Sequence, residues 1–529
     1  MLKSLIRPLL ASAMLVSMIG MAAAEVTYVR GNEGQPETLD QHKTSTVIEA
    51  RILRDLYEGL VIYDNKAKVI PGVAESWTMS DDGKVYTFKL RANAKWSNGD
   101  PVVAGDFVFS LQRIMTPETG AKYANILFPI LNAEAINKGE KKPEELGVKA
   151  VDDTTLEITL AQATPYFLEL LTHQTGLPVN PKSVTDNGTD FVAAGKMVSN
   201  GAYKLVSFQP NDKIVAAKNE HFHDAANVKI DMIEYLPIED RATCVRRFEA
   251  GEVMSCEDLP TEQIKDLKAR LGDQVRIAPY LGTYYYALNM QREVLADVRV
   301  RQALAMSIDR DFLANEIWAG AMLPGYTLVP PGISNYEGGG SQPEWATMSQ
   351  VDREDKALEL MKEAGFGPDK PLTLELSYNN SENHKNTATA IADMWKPLGV
   401  NVTYNARDIA AHYAMLRDDK SFDVARAGWI GDYSDPQNFL FLLESDNPGF
   451  NYAQYNNPEY DAALDKAAAE LDLVKRAEIL RNAEAMVMKD MPYIELLYYS
   501  SMAVVSPKLK GWEDNIQHVH PTRFLSISE

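Results

Sequence analysis

Cysteine is nearly absent from this chain, with two residues in 529. That excludes a disulfide-scaffolded mini-protein and a Cys-rich zinc module. Histidine is also sparse, at eight residues, and neither an H-E-x-x-H metal helix nor a G-x-S-x-G nucleophile elbow occurs. Gly188 and Gly195-Lys196 imitate a phosphate loop, but six residues separate the glycines where four are required. Positive charge is in deficit: 53 Lys and Arg against 74 Asp and Glu leave a formal −21. Such a chain repels phosphate backbones, which excludes a general nucleic-acid role. Beyond the N-terminus, no uninterrupted apolar run reaches the roughly 20 residues of a membrane span.

What is present is an ordinary globular composition, 45% hydrophobic and 24% charged. At about 150 residues per domain the length predicts about three domains. Lys3 and Arg7 precede an apolar stretch from Leu9 to Met21, and Ala22-Ala23-Ala24 offers a small-residue cleavage site before Glu25. This pattern predicts a secretory signal peptide over residues 1–24, with no cysteine after it to carry a lipid. Removing it takes away two cations and no acid, leaving −23. That charge suits a protein free in a periplasm better than one held on an anionic membrane surface.

An exported chain meets oxidant, so its two cysteines are candidates to pair. Arg241 to Ala250 reads as a helix that Gly251 breaks, and Val253 to Cys256 as a short strand running back along it. A Cys244–Cys256 bridge closing that loop would contribute about 3 kcal/mol. Two buried free thiols are the alternative.

The rest of the chain reads as mixed α and β structure. Val26–Arg30 and Leu156–Leu160 read as strands, and in 86–90 Tyr86, Phe88 and Leu90 alternate with Thr87 and Lys89 after an Asp81-Asp82-Gly83 turn. Val198–Val206 reads as a strand too. Ile48–Tyr57 and Ala104–Met115 read as helices. From Asp297 helices separated by short strands dominate: helices Val298–Ser307, Val351–Ala364 and Asn386–Leu398, strands Leu372–Ser377 and Asn401–Asn405. Asn457-Pro458-Glu459 opens a further helix with a cap, a proline and an acid in their favoured places. The Pro- and Gly-rich loop Pro324–Glu344 is long for a compact domain and reads as a lid, a clasp or plain surface.

Two H-x-H pairs, His221/His223 and His518/His520, have no neighbours at convincing ligand spacing and read as surface histidines. One segment stands out: S-F-D-V-A-R-A-G-W-I-G-D-Y-S-D-P, residues 421–436. Strand alternation places Arg426 on the same face as Phe422 and Val424. A buried guanidinium needs an anion, because its desolvation costs on the order of several kcal/mol. Gly428 gives close backbone access, Trp429 an apolar wall, and Asp432 an opposite charge. An Arg and an Asp beside an open strand edge suit a zwitterion with separated termini. On chemistry alone, an internal pair between Arg426 and Asp432 or other protein charges remains the simpler account.

Longer motifs carry a resemblance. Pro36–Asp40 (P-E-T-L-D), the block P-G-V-A-E-S-W … Y-T-F-K-L-R … K-W-S-N-G-D-P-V … D-F-V-F-S over 71–110, N-G-A-Y-K-L at 200–205, Tyr284-Tyr285-Tyr286, D-V-R-V-R-Q-A-L at 297–304 and F-D-V-A-R-A-G-W at 422–429 run collinearly through the chain. In these it resembles the periplasmic oligopeptide-binding proteins of ABC importers, within the extracytoplasmic solute-binding family 5 that also holds dipeptide, nickel and murein-peptide binders. The resemblance implies an α/β fold with two lobes, a periplasmic binding protein fold of the cluster C type, with three domains and a hinged interlobe cleft. It places domain I at 25–70, 187–282 and 497–529, domain II at 71–186 and domain III at 283–496. It implies a non-enzymatic, monomeric receptor without cofactor. Such a receptor captures an extended oligopeptide by strand pairing, which reads no side-chain sequence, and passes it to a membrane-embedded permease. Carried onto this sequence, Asp432 holds the peptide's ammonium, and Arg426 and His384 receive its carboxylate. Arg417 is a further cleft cation. Ser45, Thr46 and Val47 lie on a domain I strand facing the peptide, with Ala427 and Gly428 opposite, and Tyr123, Tyr285, Trp429 and Tyr499 in the cleft wall. Ala287, Trp318 and Ala410 depart from the family's usual acid, lysine and tryptophan, and Gly282 and Ile430 stand where its disulfide usually lies. These departures bear on peptide length and side-chain preference. A narrower solute (a murein peptide, a dipeptide or a metal chelate) is the alternative, and a peptide hydrolase or a chaperone-like holder a more distant one.

Overall fold

The computed structural model describes residues 25–44, 46–447 and 449–528. The predicted signal segment 1–24 and the candidate Ser45 lie outside them, as does the Ala410 side chain. Strand β1 (Thr27–Gly31) is followed by helix α1 (Val47–Leu56), which buries Ile52, Leu53 and Leu56. Thr46 is extended, at φ −122° and ψ 161°, but as the cap of α1: its N–H donates to Glu49 Oε2 at 3.1 Å, as in a capping box. Among the described residues, the strand expected at Ser45–Val47 is therefore a helix entry.

Much of the local reading holds. Val85–Leu90 alternates with Tyr86, Phe88 and Leu90 inward, and the helix Ala104–Met115 is closed by Asp106, whose Oδ2 accepts from the Val103 N–H at 3.0 Å. Asn457 Oδ1 accepts from the Glu459 and Tyr460 N–H groups, capping Pro458–Ala469. Helix α2 (Arg241–Glu249) carries Cys244 to Cys256 on the strand Ser255–Glu257, and the two are bridged with Cα atoms 6.0 Å apart. Gly31 makes room for the bridge, since a Cβ there would overlap Cys244 Sγ. The strand predicted at Val198–Val206 instead runs Tyr203–Gln209.

Two long strands organise the molecule. Strand β2 (Val275–Leu288) and, after helix α3 (Glu382–Trp395), strand β3 (Val424–Ile430) and helix α4 (Leu473–Asp490), strand β4 (Tyr493–Val505) lie at the centre of an 11-stranded sheet. Its order is Val400–Arg407, Leu372–Asn379, β3, β2, β4, Ser255–Glu257, β1, Met232–Leu236, Lys213–Lys218, Tyr203–Gln209, with Met322–Pro324 beside β4. Midway, the β2–β4 register breaks. Pro279 faces Ser500 and Thr283 faces Tyr498, so Tyr280, Leu281 and Gly282 bulge against Tyr499 alone. Pro279 has no N–H to pair, and a Cβ on Gly282 would lie 2.5 Å from Ile430 Cδ1. Gly282 and Ile430 are direct partners across β2 and β3.

The bulge separates two lobes. On one side a core containing Tyr28, Leu53, Phe107, Ile158, Tyr203 and Ile233 joins the end of the large sheet to a four-stranded antiparallel sheet, Ala74–Met79, Val85–Leu90, Thr155–Thr159 and Val148–Asp152. On the other, β2, β3 and the first half of β4 are covered on both faces. Leu304, Leu374, Trp395 and Ile494 pack on one face, and Tyr285, Ala427, Phe439 and Leu480 on the other. The loop 324–344 is neither lid nor loose surface. Leu328 and Val329 are buried, and Glu484 of α4 accepts from the Val329 and Ser341 N–H groups at 2.8 and 3.1 Å and from the Tyr336 hydroxyl at 2.8 Å.

Candidate functional site

The period of β3 sorts its side chains. Arg426 and Gly428 point to one face, Ala425 and Ala427 to the other, where they are fully buried. Strand β2 pairs with β3 throughout, from Gly282 opposite Ile430 to Leu288 opposite Val424. On its other edge, the strand Leu372–Asn379 pairs only with Val424 and Ala425. The edge beyond Ala425 is therefore open. His412 Nε2 lies 2.7 Å from the Arg426 carbonyl, and by alternation the next main-chain groups on that edge belong to Gly428.

Arg426 is 6% exposed. Its Nη1 donates to Asn379 Oδ1 at 3.0 Å and to the Tyr413 hydroxyl at 3.2 Å, and its Nη2 to the Tyr499 hydroxyl at 2.9 Å. The guanidinium carbon sits 4.7 Å from the centre of the Tyr284 ring. All these partners are neutral. Among the described residues no carboxylate lies within 4 Å of it, and Nε is buried without a partner. The internal Arg426–Asp432 pair does not form. Gly428 keeps the group in place: a Cβ there would stand 2.7 Å from the Tyr499 hydroxyl and 3.3 Å from Arg426 Nη2.

Asp432 follows β3 by two residues and is exposed. Its Oδ1 faces the Tyr123 hydroxyl of the other lobe at 3.5 Å, and its N–H donates to Asn438 Oδ1, which also holds the Trp429 indole N–H at 2.8 Å. Desolvation by the cleft walls pushes its carboxyl above the usual value, against the opposing Tyr123 contact. Tyr166 and Tyr433 stack across the same gap, 4.8 Å between ring centres. A cavity of about 270 Å³ at the cleft floor is lined by Val47, Ile430 and Tyr499, so the first turn of α1 faces the end of β3.

His384, in the first turn of α3, is buried with Nδ1 3.1 Å from the Tyr284 hydroxyl. Burial, then the Arg426 charge, holds its pKa down to about 3, so it adds a neutral hydrogen-bonding group to the site and no positive charge. Trp429 is half-buried, edge-on to Phe441 and Phe450. Arg417 lies exposed in the turn Met415–Asp419 and makes no hydrogen bond to the Arg426 cluster. Tyr285 departs from the expected cleft wall, and the Ala427 side chain shares its face, while the Ala427 main chain stays on β3 next to Gly428. The two side chains sit opposite each other on the far face of the sheet, and Tyr285 is 1% exposed, stacked on Tyr493 at 4.3 Å. Pairing of neighbouring strands forces this, because Tyr284 and Tyr286 share the face of Gly428 and Arg426. Tyr284, Asn379 and Tyr413 are the residues sequence reasoning missed. Tyr284 was open to it through its place beside Tyr285, whereas Asn379 and Tyr413 meet Arg426 only in three dimensions. Ala287 is buried opposite Ala425, and Trp318 donates its indole N–H to Thr387 Oγ1 at 3.0 Å, its ring 5.7 Å from Tyr284. His223 Nε2 lies 2.8 Å from Glu58 Oε2, and His520 stacks on Trp512, so the H-x-H pairs join internal contacts.

An α/β molecule with two lobes joined by bulged strands, holding an uncompensated cation and an open acid in the gap, belongs to the class of two-lobed binding proteins. The chain is a member of the bacterial extracellular solute-binding proteins, family 5, whose middle-region model matches residues 68–451. It is 39% identical over 525 residues to the periplasmic oligopeptide-binding protein OppA of Salmonella typhimurium, covering 96% of this chain and 95% of that protein. Among solved structures, the unliganded open form of the periplasmic murein tripeptide binding protein MppA is 37% identical over 96% of this chain and 98% of that one, with a TM-score of 0.91. Haemophilus influenzae OppA in complex with RPPGFSPFR is 36% identical over 95% and 99%, with a TM-score of 0.67. Identity and coverage are nearly equal, and the chain superposes better on the unliganded open form than on the peptide complex.

Proposed function

We propose that this protein is a periplasmic receptor that captures oligopeptides between its lobes and delivers them to an ABC permease, without chemical change to the peptide. The observation that carries this reading is the buried Arg426, held only by neutral oxygens and facing an open cleft. A ligand carboxylate supplies the anion it lacks. Asp432 then takes the peptide's ammonium, with Thr46 and Val47 walling the opposite side and His384 donating or accepting beside the carboxylate. Between the two ends, the free edge at Gly428 pairs with the peptide main chain. Arg417 adds a cation at the rim. Domain I (25–70, 187–282, 497–529) and domain II (71–186) form one lobe and domain III (283–496) the other; the topology of the 11-stranded sheet supports this division. Only the closed state touches ligand from both lobes, so peptide shifts the population toward it. The receptor is a monomer, exported by residues 1–24.

Calorimetry with tri- to pentapeptides, a disaccharide and a nickel chelate tests the reading. Peptides with free termini are expected to bind, and binding by the sugar or the chelate alone would overturn it.

A further inference from the structure

The cavity at the cleft floor holds a second unsatisfied cation. Val47, Arg51 and Arg54 lie at successive turns on one stripe of α1, and all three line it, with Tyr280, Ile430 and Tyr499 on the facing strands. The other formal charges lining this space have partners. Arg51 pairs with Glu33 at 2.8 Å and with Glu257 at 2.6 Å, and Asp258 pairs with Arg241. Among the described residues Arg54 has no ion pair and no hydrogen bond, and its Nε is enclosed without a partner. Tyr280, half-buried, lines the same cavity and offers its hydroxyl as a second donor. Arg54 is half-buried: Nε alone is shut off without an acceptor, its Nη groups are not, and a planar fork of this kind fits a carboxylate or phosphate. The cavity meets the Arg426 site through Tyr499, whose hydroxyl Arg426 already occupies.

We infer that this cavity is an oxyanion subsite, with Arg54 and Tyr280 as its donors, open to the carboxylate of an acidic side chain on the captured solute or to a free oxyanion such as phosphate. The first source rests on the peptide-capture reading; the second does not. Two arms separate them. In the first, calorimetry compares tripeptides of alanine carrying Glu or Gln at each position in turn, against wild type, Arg54→Met and Ile430→Asp. In the second, unfolding midpoints without peptide are compared in phosphate and in chloride at matched ionic strength.

If the solute supplies the anion, wild type prefers one Glu peptide over its Gln partner by about tenfold, and Arg54→Met reduces that preference to within about twofold. If the anion is free, phosphate raises the wild-type midpoint and leaves that of Arg54→Met unmoved. A wild type that shows neither effect, or an Arg54→Met variant that keeps both, overturns the inference. Should Arg54→Met not fold, Ile430→Asp decides. Its carboxylate reaches the cavity from the other lobe, at a position 43% exposed, and is expected to erase the same effect; retention overturns the inference. Trialanine separates the two readings: if it binds wild type, the capture reading stands whatever becomes of the subsite, and if no tripeptide binds, that reading fails instead.

Discussion

Replacing Arg426 by methionine should damage binding without damaging the fold. The guanidinium is almost fully buried, makes three hydrogen bonds to neutral oxygens at 2.9–3.2 Å and has no carboxylate within 4 Å among the described residues. In the unliganded protein its hydrogen bonds are therefore set against a desolvation cost on the order of several kcal/mol; an apolar side chain of similar length removes that cost but leaves the Asn379, Tyr413 and Tyr499 oxygens without their donor, so the two effects offset and stability changes by no more than about 1–2 kcal/mol. With peptide bound, the substitution strands a buried carboxylate. Truncating one member of such a pair costs about 2–5 kcal/mol, which is about 30-fold to several-thousand-fold in affinity. The assay is a cycle: calorimetry of wild type and Arg426→Met, each with one tripeptide as free acid and as C-terminal amide, beside thermal unfolding of both unliganded proteins. Wild type should lose affinity on amidation and the variant should not. An equal amidation penalty in both proteins would refute the assignment of the carboxylate to Arg426. A large fall in the variant's midpoint would refute the claim that its charge is uncompensated.

Other sites give sharper local tests. Asp432→Ala should weaken peptides with a free N-terminus by about 2–5 kcal/mol and leave N-acetylated peptides unaffected, by calorimetry; because the Asp432 carboxyl is raised above its usual value, wild-type affinity should fall on acidification at a higher pH than a free aspartate would give. Gly428→Ala should weaken peptide binding by about 1 kcal/mol, as its methyl displaces the Tyr499 hydroxyl from Arg426; unchanged affinity with an intact Arg426 would count against that contact. Cys244→Ser with Cys256→Ser should lower unfolding stability by about 3 kcal/mol in denaturant titration, from the loop the bridge closes. Burial pushes the Glu495 carboxyl from its usual 4.5 to about 8, so the folded protein holds a proton there that the unfolded chain releases, and stability falls as pH rises across that interval. Glu495→Gln should therefore raise the unfolding midpoint more at pH 8 than at pH 5 relative to wild type.

Elements with local signals were legible in the sequence, while those fixed by distant partners were not. The helix Ala104–Met115 shows its apolar stripe, and the helix Pro458–Ala469 is announced by its cap. Strand alternation singled out Arg426 as a cation on a buried face. The two strands that join the lobes escaped: β2 contains Pro279 and Gly282, which read as breakers, and the first half of β4 is buried on both faces and shows no alternation. Helix α3 begins four residues before its predicted start, because its first turn, Glu382-Asn383-His384-Lys385, is polar. Within the site, family resemblance could not say which face of β2 meets the cleft. That is settled by register, which sends Tyr284 toward Arg426 and Tyr285 into the core. The charge of His384 likewise depends on its burial beside Arg426, which no spacing reveals.

The central claim is that the cleft captures peptides by their charged ends. Mass spectrometry of the small molecules released when the purified protein is denatured tests it most directly. The account predicts short peptides with free termini from wild type and none from the Arg426→Met, Asp432→Ala double variant. Recovery of a sugar or a metal chelate in their place, or of the same peptides from the double variant, would contradict it.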